Sequence, residues 1–143
     1  MKTKKDSKTI NKRRAIIDTY TSIYPVDLIV ANKYTTLEEL KELYIYSDGI
    51  ELDEEVTSCD ASTCTIKRKS DGKFCILVKY NHPAKYLIDK KLDFINTCSH
   101  EATHVALDIY EFIHQQVCNC SSEPFCYLQG WAAECIYKTW TKK

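Results

Sequence analysis

The sequence predicts a single α+β domain, in which a small antiparallel sheet packs against two helices near the C-terminus. Its length of 143 residues is typical of one domain. Hydrophobic residues make up 44% of the chain and aromatic residues 11%, which is enough apolar material for a core. Strand-like runs bounded by turn residues precede two long segments with helical periodicity. We therefore expect a basic tail over residues 1–14 and one domain over residues 15–143.

The first half of the domain is predicted to alternate helices and strands. Apolar residues at helical spacing indicate a short amphipathic helix over residues 15–24. A run rich in β-branched residues then indicates a strand over residues 26–34. Thr36 and Glu39 have the spacing of a capping box, which predicts a helix over residues 37–46.

The second half contains the clearest secondary-structure signals. Strand-like runs over residues 64–69 and 73–80 flank a Ser-Asp-Gly turn, which predicts a hairpin. Helical periodicity follows over residues 90–114 and, after a polar loop, over residues 123–139. No internal repeat or second domain is evident.

Charge and hydropathy exclude several classes of protein. Lys and Arg together number 20, as do Asp and Glu, so a protein held on nucleic acid by a global basic field is disfavoured. No apolar run reaches the 18 residues of a membrane span. The basic N-terminus lacks the apolar stretch of a signal peptide, so we expect a cytoplasmic protein.

The chain has eight cysteines, and we expect them to be free thiols because a cytosol is reducing. No C-x-x-C pair occurs, and the single-residue spacing of Cys118 and Cys120 is poor for a zinc finger.

One motif carries recognisable chemistry: His100-Glu101-Ala102-Thr103-His104, an H-E-x-x-H sequence. On a helix, two histidines four residues apart project side by side and can bind one Zn²⁺. The glutamate between them can act as the general base toward a zinc-bound water. The motif therefore predicts a metal site only if its segment is helical and the histidines face a cleft.

The helical wheel of this segment meets the first condition. At 100° per residue, His100 and His104 lie nearly opposite an apolar stripe that would face the core. The members of that stripe are Phe94, Ile95, Cys98, Ala102, Val105, Ile109, Phe112 and Ile113. The alternative is a pair of solvated surface histidines on an ordinary amphipathic helix.

A catalytic zinc site usually has three protein ligands, and Glu123 is the candidate for the third. It lies 19 residues after His104, at the start of the last helix, which leaves room for a loop and a return. Glu134 is the reserve candidate. Gly130, on the same polar face, would allow a close approach of the two helices. The alternative for Glu123 is a carboxylate that simply stabilises the helix N-terminus.

Two further features bear on peptide hydrolysis. Tyr127 lies one turn beyond Glu123, where its hydroxyl can donate to a developing oxyanion; the alternative is a boundary tyrosine with a solvated hydroxyl. The strand over residues 73–80 is the candidate edge strand that would pair with a peptide substrate.

The pattern His100-Glu101-x-x-His104 followed by Glu123 resembles that of the gluzincin zinc metallopeptidases. The segments HEATHVALDIYEF and EPFCYLQGW resemble short metallopeptidases encoded by tailed bacteriophages. The resemblance covers roughly residues 73–140. It implies a minimal zincin-like fold, Zn²⁺ bound by His100, His104 and Glu123, and Glu101 as the general base.

We therefore expect a zinc-dependent peptidase acting on a peptide or protein substrate. The alternative is a catalytically silent, metal-stabilised phage structural or interaction protein that keeps the zincin shape. A third possibility is a regulatory or anti-host module that uses the basic tail. If phage-encoded, the protein would reside in the host cytoplasm or the virion. The sequence does not define the oligomeric state.

Overall fold

The computed structural model describes residues 13–81, 90–120 and 122–142, so most of the expected basic tail lies outside the described residues. The fold is α+β, with one five-stranded sheet and three α-helices. In chain order the elements are β1 (Ile17–Thr21), β2 (Asp27–Ala31), α1 (Leu37–Leu43), β3 (Tyr44–Tyr46), a 3₁₀ helix (Glu54–Thr57), β4 (Ala61–Arg68), β5 (Phe74–Tyr80), α2 (Lys90–Phe112) and α3 (Glu123–Trp140).

The sheet is mixed, with the strand order β1-β2-β5-β4-β3. Three neighbouring pairs are antiparallel, but β2 and β5 are parallel. The expectation of an antiparallel sheet is therefore wrong at this pair. The reason is topological: α1, β3, the 3₁₀ helix and β4 intervene between the two strands, and β5 then returns beside β2 in the same direction.

Each face of the sheet covers its own hydrophobic core, because side chains alternate along a strand. Leu28 and Val78 lie on the face that packs against α2 and α3. Ile29, Leu77 and Leu40 of α1 belong to the core on the opposite face. The helix α2 therefore packs against one face of the sheet and, along its side, against α3.

The helices and the hairpin of the second half confirm the sequence prediction to within two residues at the helix ends and three at the strand ends. The first half departs from it twice. The segment predicted as a helix over residues 15–24 contains β1, whose backbone pairs with β2. The capping box of Thr36 and Glu39 is present, but α1 ends at Leu43 and the chain continues into β3.

None of the eight cysteines, all of which are among the described residues, forms a disulfide, as expected. In the part of the chain that the structure describes, none of the helices combines the length and the apolar character that crossing a bilayer requires.

Candidate metal centre

The two histidines of the H-E-x-x-H motif converge on the exposed side of α2. Their Nε2 atoms lie 3.1 Å apart and their ring centroids 4.8 Å apart, with an interplanar angle of 71°. Both residues are exposed, whereas Cys98, Ala102 and Val105 on the other side of the helix are buried. The predicted orientation of the pair away from the core is confirmed.

This geometry fits one zinc ion. Two nitrogens bound to one tetrahedral zinc at about 2.0–2.1 Å are about 3.3 Å apart, close to the separation of the two ring nitrogens. Among the described residues, however, no group of three or more His, Cys, Asp or Glu side chains is close enough to hold a metal. The histidines are thus two candidate ligands, and no described third candidate is assembled beside them.

Glu101 points from α2 toward the sheet. Its side chain is 5% exposed, and its Oε2 atom accepts a hydrogen bond of 2.5 Å from the Thr63 hydroxyl on β4. Glu101 nevertheless lines a cleft of about 250 Å³ that reaches His100. The other residues lining this cleft are Cys59, Asp60, Ala61, Asn96 and Thr97. The candidate base and one candidate ligand therefore share one opening.

The strand beside this cleft is β4, not the predicted strand over residues 73–80. That strand is β5, which is central and paired on both sides, so it cannot add a substrate strand. In β4 the backbone groups of even-numbered residues form the hydrogen bonds to β5, as the Arg68 amide does to the Lys73 carbonyl. The direction of the backbone amide and carbonyl alternates along a strand, so those of Ala61 and Thr63 point away from β5. On that side of β4, β3 pairs only with residues 66–68, and no other described strand pairs with its first half.

The opposite flank of α2 is formed by α3, which runs antiparallel to it. Three side-chain contacts set the register: Phe94 with Tyr137 (ring centroids 6.1 Å apart), Thr103 with Gln129 (2.7 Å) and Tyr110 with Phe125 (5.2 Å). By this register, the segment of α3 opposite the histidine pair is about residues 128–133. Gly130 lies within it, but a Cβ at that position would meet no atom within 4 Å. The expectation that Gly130 permits a close helix approach is therefore wrong.

The register separates Glu123 from the pair. Glu123 is exposed in the first turn of α3, roughly 8–12 Å beyond His104 along the axis at 1.5 Å per residue. Glu134 lies nearer, roughly 3–5 Å beyond the level of His100, but its carboxylate is bound to Lys138 at 2.6 Å. Among the described residues, Glu123 has no ion pair or side-chain hydrogen bond, so its carboxylate is available.

Tyr127 is exposed and lies on the far flank of α3. It lines a groove with Ile23, Tyr24 and Trp131, and none of the described residues lining that groove belongs to α2. Its hydroxyl is not beside the histidines in this arrangement.

Two members of the predicted apolar stripe, Ile95 and Phe112, are half exposed instead of buried. Sequence reasoning also missed Thr63, because a contact between residues 38 positions apart has no local signal. It missed Asp108 as well, one turn beyond His104, where burial raises the pKa of the carboxyl and the charge of His104 opposes that rise. The i,i+4 spacing from His104 was the available signal.

Comparison of the chain with protein-family models, with curated proteins and with solved structures finds no match in any of the three. The function therefore has to be inferred from the residues of the site.

Proposed function

We propose that this protein is a zinc-dependent peptidase. The observation that carries the proposal is the convergence of the His100 and His104 nitrogens, together with a cleft that both His100 and Glu101 line. Two imidazole ligands and a general-base carboxylate are three of the groups that a zinc peptidase uses, and a third protein ligand completes the set. The resemblance to gluzincins points to the same chemistry.

His100 and His104 would hold the ion, with Glu123 as the third ligand and Glu134 as the alternative. The resemblance and the unpaired carboxylate favour Glu123, whereas position along α3 favours Glu134. Bound zinc supplies Lewis-acid polarisation of the scissile carbonyl and of the attacking water.

Glu101 would move the proton. One of its carboxylate oxygens is bonded to Thr63, which leaves the other for the cleft. That oxygen takes a proton from the attacking water and returns it to the leaving amine, so the nitrogen departs as a neutral group.

The first half of β4 suggests how substrate is held. An extended peptide can pair with the backbone of Thr63 and with the amide of Ala61, since the Ala61 carbonyl already accepts a hydrogen bond from the Cys59 thiol. This ladder is short, since the backbone of Ser47 already donates to the carbonyl of Thr65. We therefore expect flexible or unfolded polypeptide as substrate, with few backbone contacts.

One observation favours a second function. Because the described residues assemble only two ligands, the protein could instead be a catalytically silent structural or interaction protein with the same shape. The two functions differ in whether the metal-loaded protein cleaves anything.

The test is hydrolysis of a denatured protein substrate by the zinc-loaded wild type, E101Q and E111Q. Glu111 is an exposed glutamate on the same helix, so E111Q is the matched control. We expect cleavage by the wild type and E111Q, and a loss of about 100- to 10,000-fold in E101Q. Equal cleavage by E101Q, or none by the zinc-loaded wild type, would overturn the proposal.

A further inference from the structure

The contact between Thr63 and Glu101 joins β4 to α2 at the candidate site. The Thr63 hydroxyl donates and the Oε2 atom of Glu101 accepts. The length of this bond, 2.5 Å, is at the short end of the range for hydroxyl donors. Within the residues that the structure describes, Thr63 is the one side chain that donates to Glu101.

Thr63 is well suited to hold another side chain in place. It lies in the middle of β4, on a strand paired with β5, so its backbone position is fixed. A β-branched side chain has few accessible χ1 rotamers, which fixes the hydroxyl as well. A glutamate, by contrast, has three rotatable side-chain bonds and needs an external partner to keep one orientation.

We propose that Thr63 is a positioning residue for the reaction: its hydroxyl binds one oxygen of Glu101 and thereby directs the other into the cleft shared with His100. The inference rests on the proposed function, since orientation of Glu101 matters only if Glu101 moves a proton. It adds a requirement that the H-E-x-x-H motif does not contain.

The test compares T63V, T63S and the matched control T65V. Valine keeps the shape of threonine and removes the hydroxyl, whereas serine keeps the hydroxyl. Thr65 faces the same side of β4 but is exposed, and its hydroxyl contacts Ser47. We expect kcat to fall about 10- to 100-fold in T63V, with KM and zinc affinity unchanged, because a misplaced base slows the chemical step and not binding. T63S should recover most of kcat, and T65V should match the wild type.

A second readout does not depend on activity. The carboxyl carbon resonance of Glu101 should shift in T63V and return toward its wild-type position in T63S. In an E101Q background, T63V should leave the residual rate unchanged within about twofold, since residues that act through one another are not additive. If T63V fails to fold, T63A replaces it, because alanine fits wherever threonine does.

The outcomes separate the two proposals. If the wild type cleaves, E101Q does not, and T63V retains the wild-type kcat, the role of Thr63 is wrong and the proposed function stands. A T63V variant that loses zinc or raises KM also overturns the positioning role. If the zinc-loaded wild type cleaves nothing, both proposals are wrong, and a shifted Glu101 resonance in T63V then reports a purely structural bond.

Discussion

Among the described residues three charged side chains are buried, Asp27, Lys79 and Glu101. Asp27 forms ion pairs with Arg68 and Lys73, whereas Glu101 and Lys79 have no ion pair among the described residues and differ in what surrounds them. Glu101 is 5% exposed, held by one hydroxyl, and lines a cleft beside His100. Lys79 is 2% exposed, and its Nζ donates to the backbone carbonyls of Asn32 and Tyr80. Lys79 lies on the face of the sheet that packs against α1, away from the histidines.

The comparison shows that burial of a charge does not by itself identify a functional residue. Lys79 is enclosed, and its hydrogen bonds go to backbone groups that belong to the fold. Burial lowers the pKa of Lys79 to about 8, with the charge of Glu39 opposing that change. Glu101 is the functional candidate because it lines an opening that also reaches His100, one of the two candidate metal ligands. Metal binding and catalysis should therefore depend on the residues around Glu101 and not on Lys79.

The largest expected effect is on metal affinity. H100A or H104A should weaken zinc binding roughly 100- to 1000-fold, since a four-ligand zinc site gains about 10–16 kcal/mol in total. Isothermal titration with zinc measures this. H114N is the control, because His114 is exposed at the end of α2 and asparagine tolerates its positive φ of 55°. Tight binding that survives in both alanine variants would place the metal elsewhere.

Replacing Lys79 should change stability and leave zinc binding intact. Because the folded state penalises the protonated amine, the wild type gains stability relative to K79M as pH rises from about 8 to 10.5. The gain should be roughly 3 kcal/mol across that window. Urea unfolding at several pH values measures this gain in stability. Stability rises with pH because, in this pH range, the unfolded chain binds more protons than the folded protein. A constant difference between the two proteins would show that the amine is not buried as described.

The third ligand should produce a smaller but decisive effect. We expect E123A to weaken zinc binding more than tenfold and E134A to change it little, since the carboxylate of Glu134 is bound to Lys138. The same titration compares the two variants. If E134A is the weaker binder, the ligand is Glu134, and the histidine pair keeps its role.

The smallest effect concerns thiol accessibility. Native protein should react with a thiol reagent first at its exposed cysteines, and the buried ones should react only on unfolding. The exposed group is Cys59, Cys118, Cys120 and Cys126, and the buried group is Cys75, Cys98 and Cys135. Mass spectrometry of labelled peptides identifies each site. Early labelling of Cys98, whose pKa burial raises to about 12, would contradict the packing of α2 on the sheet.

The parts of the fold that were predictable from sequence are those with strong local patterns. The helix α2 and the β4–β5 hairpin follow from periodicity and turn residues alone. The strand β1 was not predictable, because the spacing of its apolar residues also fits a helix. The segment is a strand because its backbone pairs with β2. The central position of β5 depends on the parallel pairing with β2, which no local signal encodes.

The candidate site divides in the same way. The convergence of His100 and His104 follows from a four-residue spacing on a helix, so the sequence predicts it directly. The contact of Thr63 with Glu101 depends on how α2 packs against β4. The position of Glu123 depends on the register between α3 and α2. Both are set by packing across the fold.

The central claim is that one metal ion binds between the two histidines, beside the cleft that His100 and Glu101 line. Anomalous diffraction at the zinc edge, from a crystal of the zinc-loaded protein, tests it directly. We predict a single anomalous peak about 2.0–2.1 Å from the Nε2 atoms of both His100 and His104. A peak at the Cys118 and Cys120 thiols instead, or none at the histidine pair, would contradict the claim.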